Sequence, residues 1–154
     1  FGADELDFVI NYEAFKRGEL DVVRAEVKRC TYLCLENQKV AKWIIEIAAL
    51  SEKQIMKITQ LIREVVEKHF FQDAQKVYIK SSTGFYILED GSPIGATPEG
   101  IKIMSDYSGL LPLKAAGGVR SLSDLKRMVS LGVSRIGTSS AKQIVLEEKV
   151  KNKY

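Results

Sequence analysis

Five short apolar runs alternate along the chain with longer stretches in which apolar residues recur at helical spacing. The runs are rich in β-branched and aliphatic residues, as expected of strands that are covered on both faces. The alternation of such strands with amphipathic helices predicts parallel βα units. The five predicted strands are Leu6–Ile10, Trp43–Ile47, Val77–Lys80, Leu111–Ala115 and Ser134–Gly137.

The stretches between these runs carry helix signals. The first predicted helix extends from about Glu19 to Leu35, and its apolar stripe consists of Val22, Val23, Val27 and Cys30. Ser51 and Gln54 have the spacing of a capping box and indicate the start of the second helix. Further helix starts are predicted at Pro98, at Ser121 and at Ser139 or Ser140.

Five βα units are compatible with two architectures. An open doubly wound sheet and a (β/α)₈ barrel both consist of parallel strands joined by helices. A complete barrel needs about 200 residues or more, so a barrel of this length lacks about three units. No linker or low-complexity segment divides the 154 residues, and we expect residues 1–154 to form one domain.

Composition excludes several classes of protein. With 45% hydrophobic and 28% charged residues, the chain is typical of a globular protein. A net charge of +3 on scattered Lys and Arg residues does not indicate a nucleic-acid surface. We expect no membrane span and no signal peptide, and hence a cytoplasmic protein. Cys30, Cys34 and the single histidine, His69, do not make a zinc site, and we expect both thiols to be reduced.

Two lysines carry the first indication of chemistry. Lys80 and Lys114 each end an apolar run, where the active sites of parallel α/β proteins are built. Taken alone, Lys80 is as expected for an exposed lysine at a strand end. If the two strands are neighbours, however, the two ammonium groups repel each other, so the pKa of one of them falls and a free amine becomes available as a nucleophile.

Asp7 lies within the first apolar run, between Leu6 and Phe8. A carboxylate there needs a cation or a substrate hydroxyl to offset its desolvation. We therefore expect it to pair with Lys114 or to relay protons, although a solvent-facing position at a sheet edge is the alternative. Lys42, expected just before the second strand, and Glu46, expected inside it, are candidates for the same network.

Glycine-rich turns follow the fourth and fifth runs. Gly117 and Gly118 precede one predicted helix, and Gly137 precedes another that begins near Ser139 and Ser140. Backbone N–H groups at helix N-termini bind anions, and glycine allows their close approach. Two such turns after consecutive strands predict a phosphate site, to which Arg120 would add positive charge if it is not simply exposed.

These segments resemble the class I deoxyribose-phosphate aldolase family. Residues 4–11 are similar to the strand that carries the family's catalytic aspartate, here Asp7, and residues 42–46 resemble the next strand, where Lys42 matches a lysine near the active site. Residues 78–85 resemble the Schiff-base motif, with Lys80 at the position of the nucleophile.

The remaining motifs follow in the family's order. Residues 95–99 resemble the start of the next helix, residues 114–120 the motif of the second lysine and the phosphate, and residues 135–140 the final phosphate loop. The resemblance implies that the chain is a five-unit, C-terminal part of a (β/α)₈ barrel. Phe85 stands where some relatives have lysine, and Tyr154 corresponds to a terminal tyrosine that some members use in proton transfer.

The resemblance also implies a reaction. It is the reversible cleavage of 2-deoxyribose 5-phosphate to glyceraldehyde 3-phosphate and acetaldehyde, in deoxyribonucleotide catabolism, without metal or organic cofactor. Lys80 would hold the carbonyl, Lys114 would tune it and Asp7 would relay protons. Implied contacts to the sugar phosphate involve Thr83, Gly84, Gly117, Gly118, Arg120, Gly137, Ser139 and Ser140.

Two alternatives stay open at this point. One is an inactive, truncated barrel that acts as a binding or assembly subunit, because an open sheet edge favours association. The other is a different phosphate-binding Schiff-base aldolase. In either case the exposed edge leads us to expect a homo-oligomer, with no nucleic-acid or membrane partner.

Overall fold

The computed structural model describes residues 2–89 and 95–151. The five strands are β1 Glu5–Val9, β2 Val40–Ile44, β3 Val77–Lys80, β4 Leu113–Ala116 and β5 Val133–Gly137. The helices are α1 Tyr12–Lys16, α2 Leu20–Glu36, α3 Glu52–Phe70, α4 Pro98–Tyr107, α5 Leu122–Ser130 and α6 Ala141–Lys151. Two 3₁₀ segments, Ile47–Ala49 and Phe71–Lys76, follow β2 and α3.

The strands form one parallel sheet in the order β1-β2-β3-β4-β5. A doubly wound sheet reverses its strand order at a switch point, whereas a barrel adds each new strand beside the previous one. The consecutive order is therefore that of a barrel, and the five strands represent part of one. The predicted fold class is confirmed.

The sheet is strongly curved. Glu5 lies on β1 and Arg135 on β5, at opposite edges, yet Arg135 Nη1 is 2.6 Å from both carboxylate oxygens of Glu5. An ion pair that joins the two outermost strands requires that the sheet coil around its concave face, as the strands of a barrel do.

The two faces of the sheet differ in composition because side chains alternate along each strand. The face toward the helices is apolar and buried, and it includes Ala41, Trp43, Val77, Ile79, Leu113, Ala115 and Val133. The buried residues of α2 and α3, including Val23, Val27, Ile58 and Ile62, belong to the same core. The main hydrophobic core therefore lies between helices and sheet, while the concave face carries charged residues.

The predicted second strand was placed three residues too late. In the structure β2 covers Val40–Ile44, so that Lys42 lies inside the strand and Glu46 lies beyond it, the reverse of the prediction. The strand ends here because Glu46 adopts a left-handed backbone with φ 54°, which breaks the extended conformation. The prediction for α2 was wrong at Val22, whose exposed fraction is 54%.

Several local predictions are confirmed. Ser51 and Ser121 each form a capping box, with Gln54 and Asp124 respectively, and Pro98 opens α4. Both cysteines are free thiols, and the His69 side chain is exposed.

Within the two described ranges, no helix is both long and apolar enough to cross a membrane.

Candidate active site

Strand pairing brings the charged residues of the concave face together. Asp7 on β1 is aligned with Lys42 on β2, and Lys80 on β3 is aligned with Lys114 on β4. This register places Lys80, the last residue of β3, beside Lys114, which is the second residue of β4 and not its last as predicted. The predicted approach of the two lysines is confirmed.

Asp7 binds two of these lysines, but not Lys114. Its Oδ2 accepts a hydrogen bond from Lys80 Nζ at 2.8 Å, and its Oδ1 lies 2.9 Å from Lys42 Nζ. Burial alone would raise the pKa of Asp7, but the hydrogen bonds and charges of Lys80 and Lys42 outweigh burial and lower it. Asp7 is therefore a carboxylate near neutral pH.

Lys114 is in a different electrostatic position. No described residue forms an ion pair with it, and its side chain is half-buried. Its pKa is lowered, first by burial and then, against the attraction of Asp7, by the positive charges of Lys42 and Lys80. The lowered pKa expected for one member of the lysine pair thus falls on Lys114, which loses its proton more readily than an ordinary lysine.

An ion pair between Glu5 and Arg135, which the sequence did not predict, adjoins this network through Lys42. Glu5 accepts a hydrogen bond from Lys42 at 3.0 Å in addition to its contacts with Arg135, and the guanidinium of Arg135 lies 4.4 Å from the centre of the Tyr78 ring. The hydrogen bond from Arg135, followed by the one from Lys42, lowers the pKa of Glu5. Glu5 and Asp7 are two residues apart on β1, so they share one face of the sheet. This spacing is the sequence signal that could have placed Glu5 beside Asp7.

A cleft of about 460 Å³ opens above the lysine pair. Nine of its lining residues were predicted site residues: Lys80, Thr83, Gly84, Lys114, Gly117, Gly118, Arg120, Gly137 and Ser139. Phe85, Gly95, Ala116, Val119 and Thr138 complete the lining. Asp7, Lys42 and Ser140 do not line this cleft, although Asp7 contacts Lys80, which does.

Tight contacts hold the loops around the cleft together. Ser82 Oγ donates to the carbonyl of Ala116 at 2.5 Å, and the Ala116 N–H donates to Ser81 Oγ at 3.0 Å. A Cβ on Gly95 would lie 2.2 Å from the backbone of Gly117, so this crossing of two loops requires glycine. The ends of β3 and β4 are therefore fixed relative to each other on either side of the lysine pair.

The two helix N-termini predicted to bind phosphate differ. At α5, the N–H groups of Arg120 and Ser121 both donate to Asp124 Oδ2, and the Leu122 N–H donates to Glu147. These three donors are already used by two carboxylates, so an anion at this turn would rely on the glycine backbone and on the side chain of Arg120. At α6, Thr138 Oγ1 accepts the N–H of Ser140, and Ser139 lines the cleft.

Thr83 also has a different environment from the one expected of a phosphate ligand. Its N–H and its hydroxyl both donate to Glu46 Oε2, at 3.1 and 2.6 Å. Neither donor is free for a phosphate in this arrangement. Tyr154, the other candidate for proton transfer, lies outside the described residues.

The fold and the site together define a barrel protein of βα units with a lysine-centred cleft at the carboxyl edge of its strands. No family model matches the chain. Comparison with curated proteins finds deoxyribose-phosphate aldolase from Streptococcus agalactiae serotype Ia, 34% identical over 97% of this chain and 60% of the relative.

Solved structures point to the same group. The aldolase QR15 superposes with a TM-score of 0.78 at 35% identity, over 98% of this chain and 61% of that one. The tetrameric deoxyribose-phosphate aldolase from Aeropyrum pernix gives a TM-score of 0.74 at 26% identity, over 96% and 56%. Over nearly its whole length the chain is thus similar to deoxyribose-phosphate aldolases, and it spans about 60% of the length of the curated relatives it matches.

Proposed function

We propose that the protein is a Schiff-base aldolase that reversibly cleaves 2-deoxyribose 5-phosphate to glyceraldehyde 3-phosphate and acetaldehyde. The observation that carries the proposal is the juxtaposition of Lys80, Lys114 and Asp7 on adjacent strands beneath one cleft. Similarity to deoxyribose-phosphate aldolases over 97% of this chain supports the substrate class. A cytoplasmic location and action in deoxyribonucleotide catabolism form part of the same proposal.

In the proposed mechanism, Lys114 accepts a proton so that Lys80 can act as a neutral amine. The Lys80 nitrogen bonds to C1 of the sugar aldehyde, and the carbonyl oxygen leaves as water, which gives an iminium. The C3 hydroxyl then loses its proton to solvent and becomes the carbonyl of glyceraldehyde 3-phosphate, which leaves as the C2–C3 bond breaks. The electron pair of that bond moves toward the iminium and forms an enamine on Lys80. Protonation of the enamine and addition of water release acetaldehyde and regenerate Lys80.

Asp7 has two tasks in this scheme. Its carboxylate is hydrogen-bonded to Lys80, so that it stabilises the positive iminium nitrogen that replaces the ammonium group. The two lysines that bind Asp7 keep it ionised, which suits it to accept a proton from the carbinolamine hydroxyl or return one to it.

For the phosphate we propose the side of the cleft formed by Gly117, Gly118, Gly137, Ser139 and Arg120. Positive charge from Arg120 and backbone donors near the start of α6 would bind the anion. Ser140 does not line the cleft, and its proposed part is limited to the turn that it forms with Thr138 at the start of α6. Comparison of KM for 2-deoxyribose 5-phosphate and for 2-deoxyribose tests it, because loss of the phosphate should raise KM more than it lowers kcat.

Borohydride trapping tests the central step. The protein is incubated with acetaldehyde and borohydride, and the modified residue is mapped by mass spectrometry. We expect an adduct on Lys80 that disappears in Lys80→Ala. The adduct should persist in the control variant Lys76→Ala, because Lys76 directly precedes β3 at the end far from the cleft. An adduct on Lys114, whose pKa is lowered, would assign the nucleophile to that residue instead, and no adduct would refute the Schiff base.

A second candidate function is assembly. At the β1 edge of the described sheet, Leu6 and Val9 are exposed, and an unpaired strand edge favours association. We therefore propose that the chain forms oligomers, as the tetrameric Aeropyrum pernix relative does. Light scattering coupled to size exclusion distinguishes the cases, since a monomer at all accessible concentrations would argue against assembly.

A further inference from the structure

Glu46 combines two energetically unfavourable features. Its backbone is left-handed, at φ 54° and ψ 69°, a region that residues other than glycine, asparagine and aspartate rarely adopt. Its side chain is also buried, with only 2% of the residue exposed, which is costly for a carboxyl group without full hydrogen bonding. Both features persist only where the surrounding structure compensates for them.

The hydrogen bonds of Glu46 show where that compensation comes from. Oε2 accepts two hydrogen bonds from Thr83, one from its N–H and one from its hydroxyl, and Thr83 Oγ1 in turn accepts the N–H of Phe85 at 3.1 Å. Among the described residues, no hydrogen-bond donor reaches Glu46 Oε1. One carboxyl oxygen is thus linked by hydrogen bonds to Thr83 and, through Thr83, to Phe85.

The segment held in this way, residues 83–85, forms part of the cleft wall directly after Lys80. Thr83, Gly84 and Phe85 all line the cleft, whereas Glu46 does not. Phe85 is 88% exposed, and within the described residues Thr83 supplies the hydrogen-bond acceptor for its N–H. Without Glu46, this wall would lose the bonds that connect it to the end of β2.

We propose that Glu46 is a positioning residue that acts on the substrate through Thr83 and thereby sets the geometry of the cleft wall beside Lys80. The proposal rests on the proposed aldolase function for its effect on turnover. It does not involve contact between Glu46 and the substrate. It predicts that loss of the Glu46 side chain disorders the wall while leaving the lysine pair intact.

Two variants separate the side chain from the backbone. Glu46→Asn adopts a left-handed backbone more readily than glutamate does, but its side chain is one methylene shorter, so its bonds to Thr83 are lost. Glu46→Gln keeps the length and one carbonyl oxygen that can accept both bonds. If only backbone strain mattered, Glu46→Asn would keep more of the amide protection and of kcat/KM than Glu46→Gln. If the hydrogen bonds to Thr83 matter, Glu46→Gln would keep more of both.

The first measurement is amide hydrogen exchange by NMR on the full chain. In Glu46→Asn we expect protection at the N–H groups of Thr83 and Phe85 to fall by about tenfold, the equivalent of one lost hydrogen bond. Protection of Ile79, in the middle of β3, should stay unchanged. Glu46→Gln should retain most of the protection at both positions.

The second measurement is turnover. With 2-deoxyribose 5-phosphate, kcat/KM of Glu46→Asn should fall about tenfold or more, while borohydride trapping of acetaldehyde on Lys80 stays within about twofold of wild type. Unchanged exchange at Thr83 and Phe85, unchanged kcat/KM, or equal losses in both variants would overturn the role of Glu46. A wild-type protein without any Lys80 adduct would instead overturn the proposed aldolase function, and the exchange comparison would still decide whether Glu46 organises the wall.

Discussion

Replacing Asp7 by asparagine removes the carboxylate that two lysines share. The side chains of Lys80 and Lys42 are only 10% and 9% exposed, and each has its ammonium group within 2.9 Å of Asp7. Asparagine has the same shape but no charge, so two ammonium groups would remain against each other without their common counter-ion. The perturbation is therefore electrostatic, with almost no change in packing.

The size of the effect follows from burial. Removing one partner of a fully buried ion pair costs about 3–5 kcal/mol. The Asp7 side chain is 34% exposed, which allows solvent to screen part of the loss, and Lys42 keeps Glu5 as a partner. We therefore expect Asp7→Asn to lower the free energy of unfolding by about 2–3 kcal/mol at pH 7.

The pH dependence has a definite sign. Because the folded-state pKa of Asp7 lies below its ordinary value of 3.8, its contribution to stability is complete above that value and is lost as the pH falls through the folded-state pKa. The stability difference between wild type and Asp7→Asn should thus be the same at pH 7 and at about pH 6, and shrink below about pH 4.

Urea unfolding followed by circular dichroism, repeated across this pH range, measures the difference. The matched control is Asp73→Asn, since Asp73 pairs with Lys76 at the surface and should contribute under about 0.5 kcal/mol. Equal stability of wild type and Asp7→Asn at pH 7 would refute the electrostatic account. So would a difference that persists undiminished well below pH 3.

Further substitutions test other contacts. Gly137→Ala would place a Cβ 3.3 Å from Lys114 Cε, so we expect the Lys114 side chain to move toward solvent. The pKa of Lys114 should then rise toward 10.5, because less burial favours the charged form. NMR of isotopically methylated lysine measures this pKa, and an unchanged value would contradict the prediction. Thr31→Val leaves the buried Trp43 Nε1–H without its acceptor and should cost about 1–3 kcal/mol in urea unfolding, and a smaller loss would indicate that another acceptor replaces Thr31. Ser51→Ala removes the N-cap of α3 and should cost about 1 kcal/mol, seen as a lower Tm, whereas Ser51→Asp should restore it.

Local patterns predicted the elements well where one physical signal dominated. The runs of apolar residues located all five strands, because strands between helices and a barrel interior are mostly apolar. The pattern failed at the end of β2, where Ile45 and Ile47 are as apolar as the strand itself. The left-handed turn at Glu46 ends that strand, and nothing in the apolar pattern distinguishes it.

The candidate site was only partly predictable for a similar reason. The glycine-rich turns predicted which loops line the cleft, but not that Asp124 and Glu147 take the N–H groups at the start of α5. Whether these N–H groups are free depends on carboxylates that come later in the chain. The positions of those carboxylates follow from how the helices pack. The ion pair between Glu5 and Arg135 likewise depends on the curvature of the whole sheet.

By itself, the sequence determined which residue types alternate along each strand and that Lys80 and Lys114 both belong to apolar runs of a βα pattern. Side-chain alternation and strand length are local properties of the backbone, and a single chain segment specifies them. Only the tertiary structure decided that the strands of these two lysines are neighbours, that Asp7 binds Lys80 and Lys42, and that the pKa of Lys114 is lowered. Register, burial and the sum of surrounding charges set those outcomes, and all three arise only when distant strands are brought together.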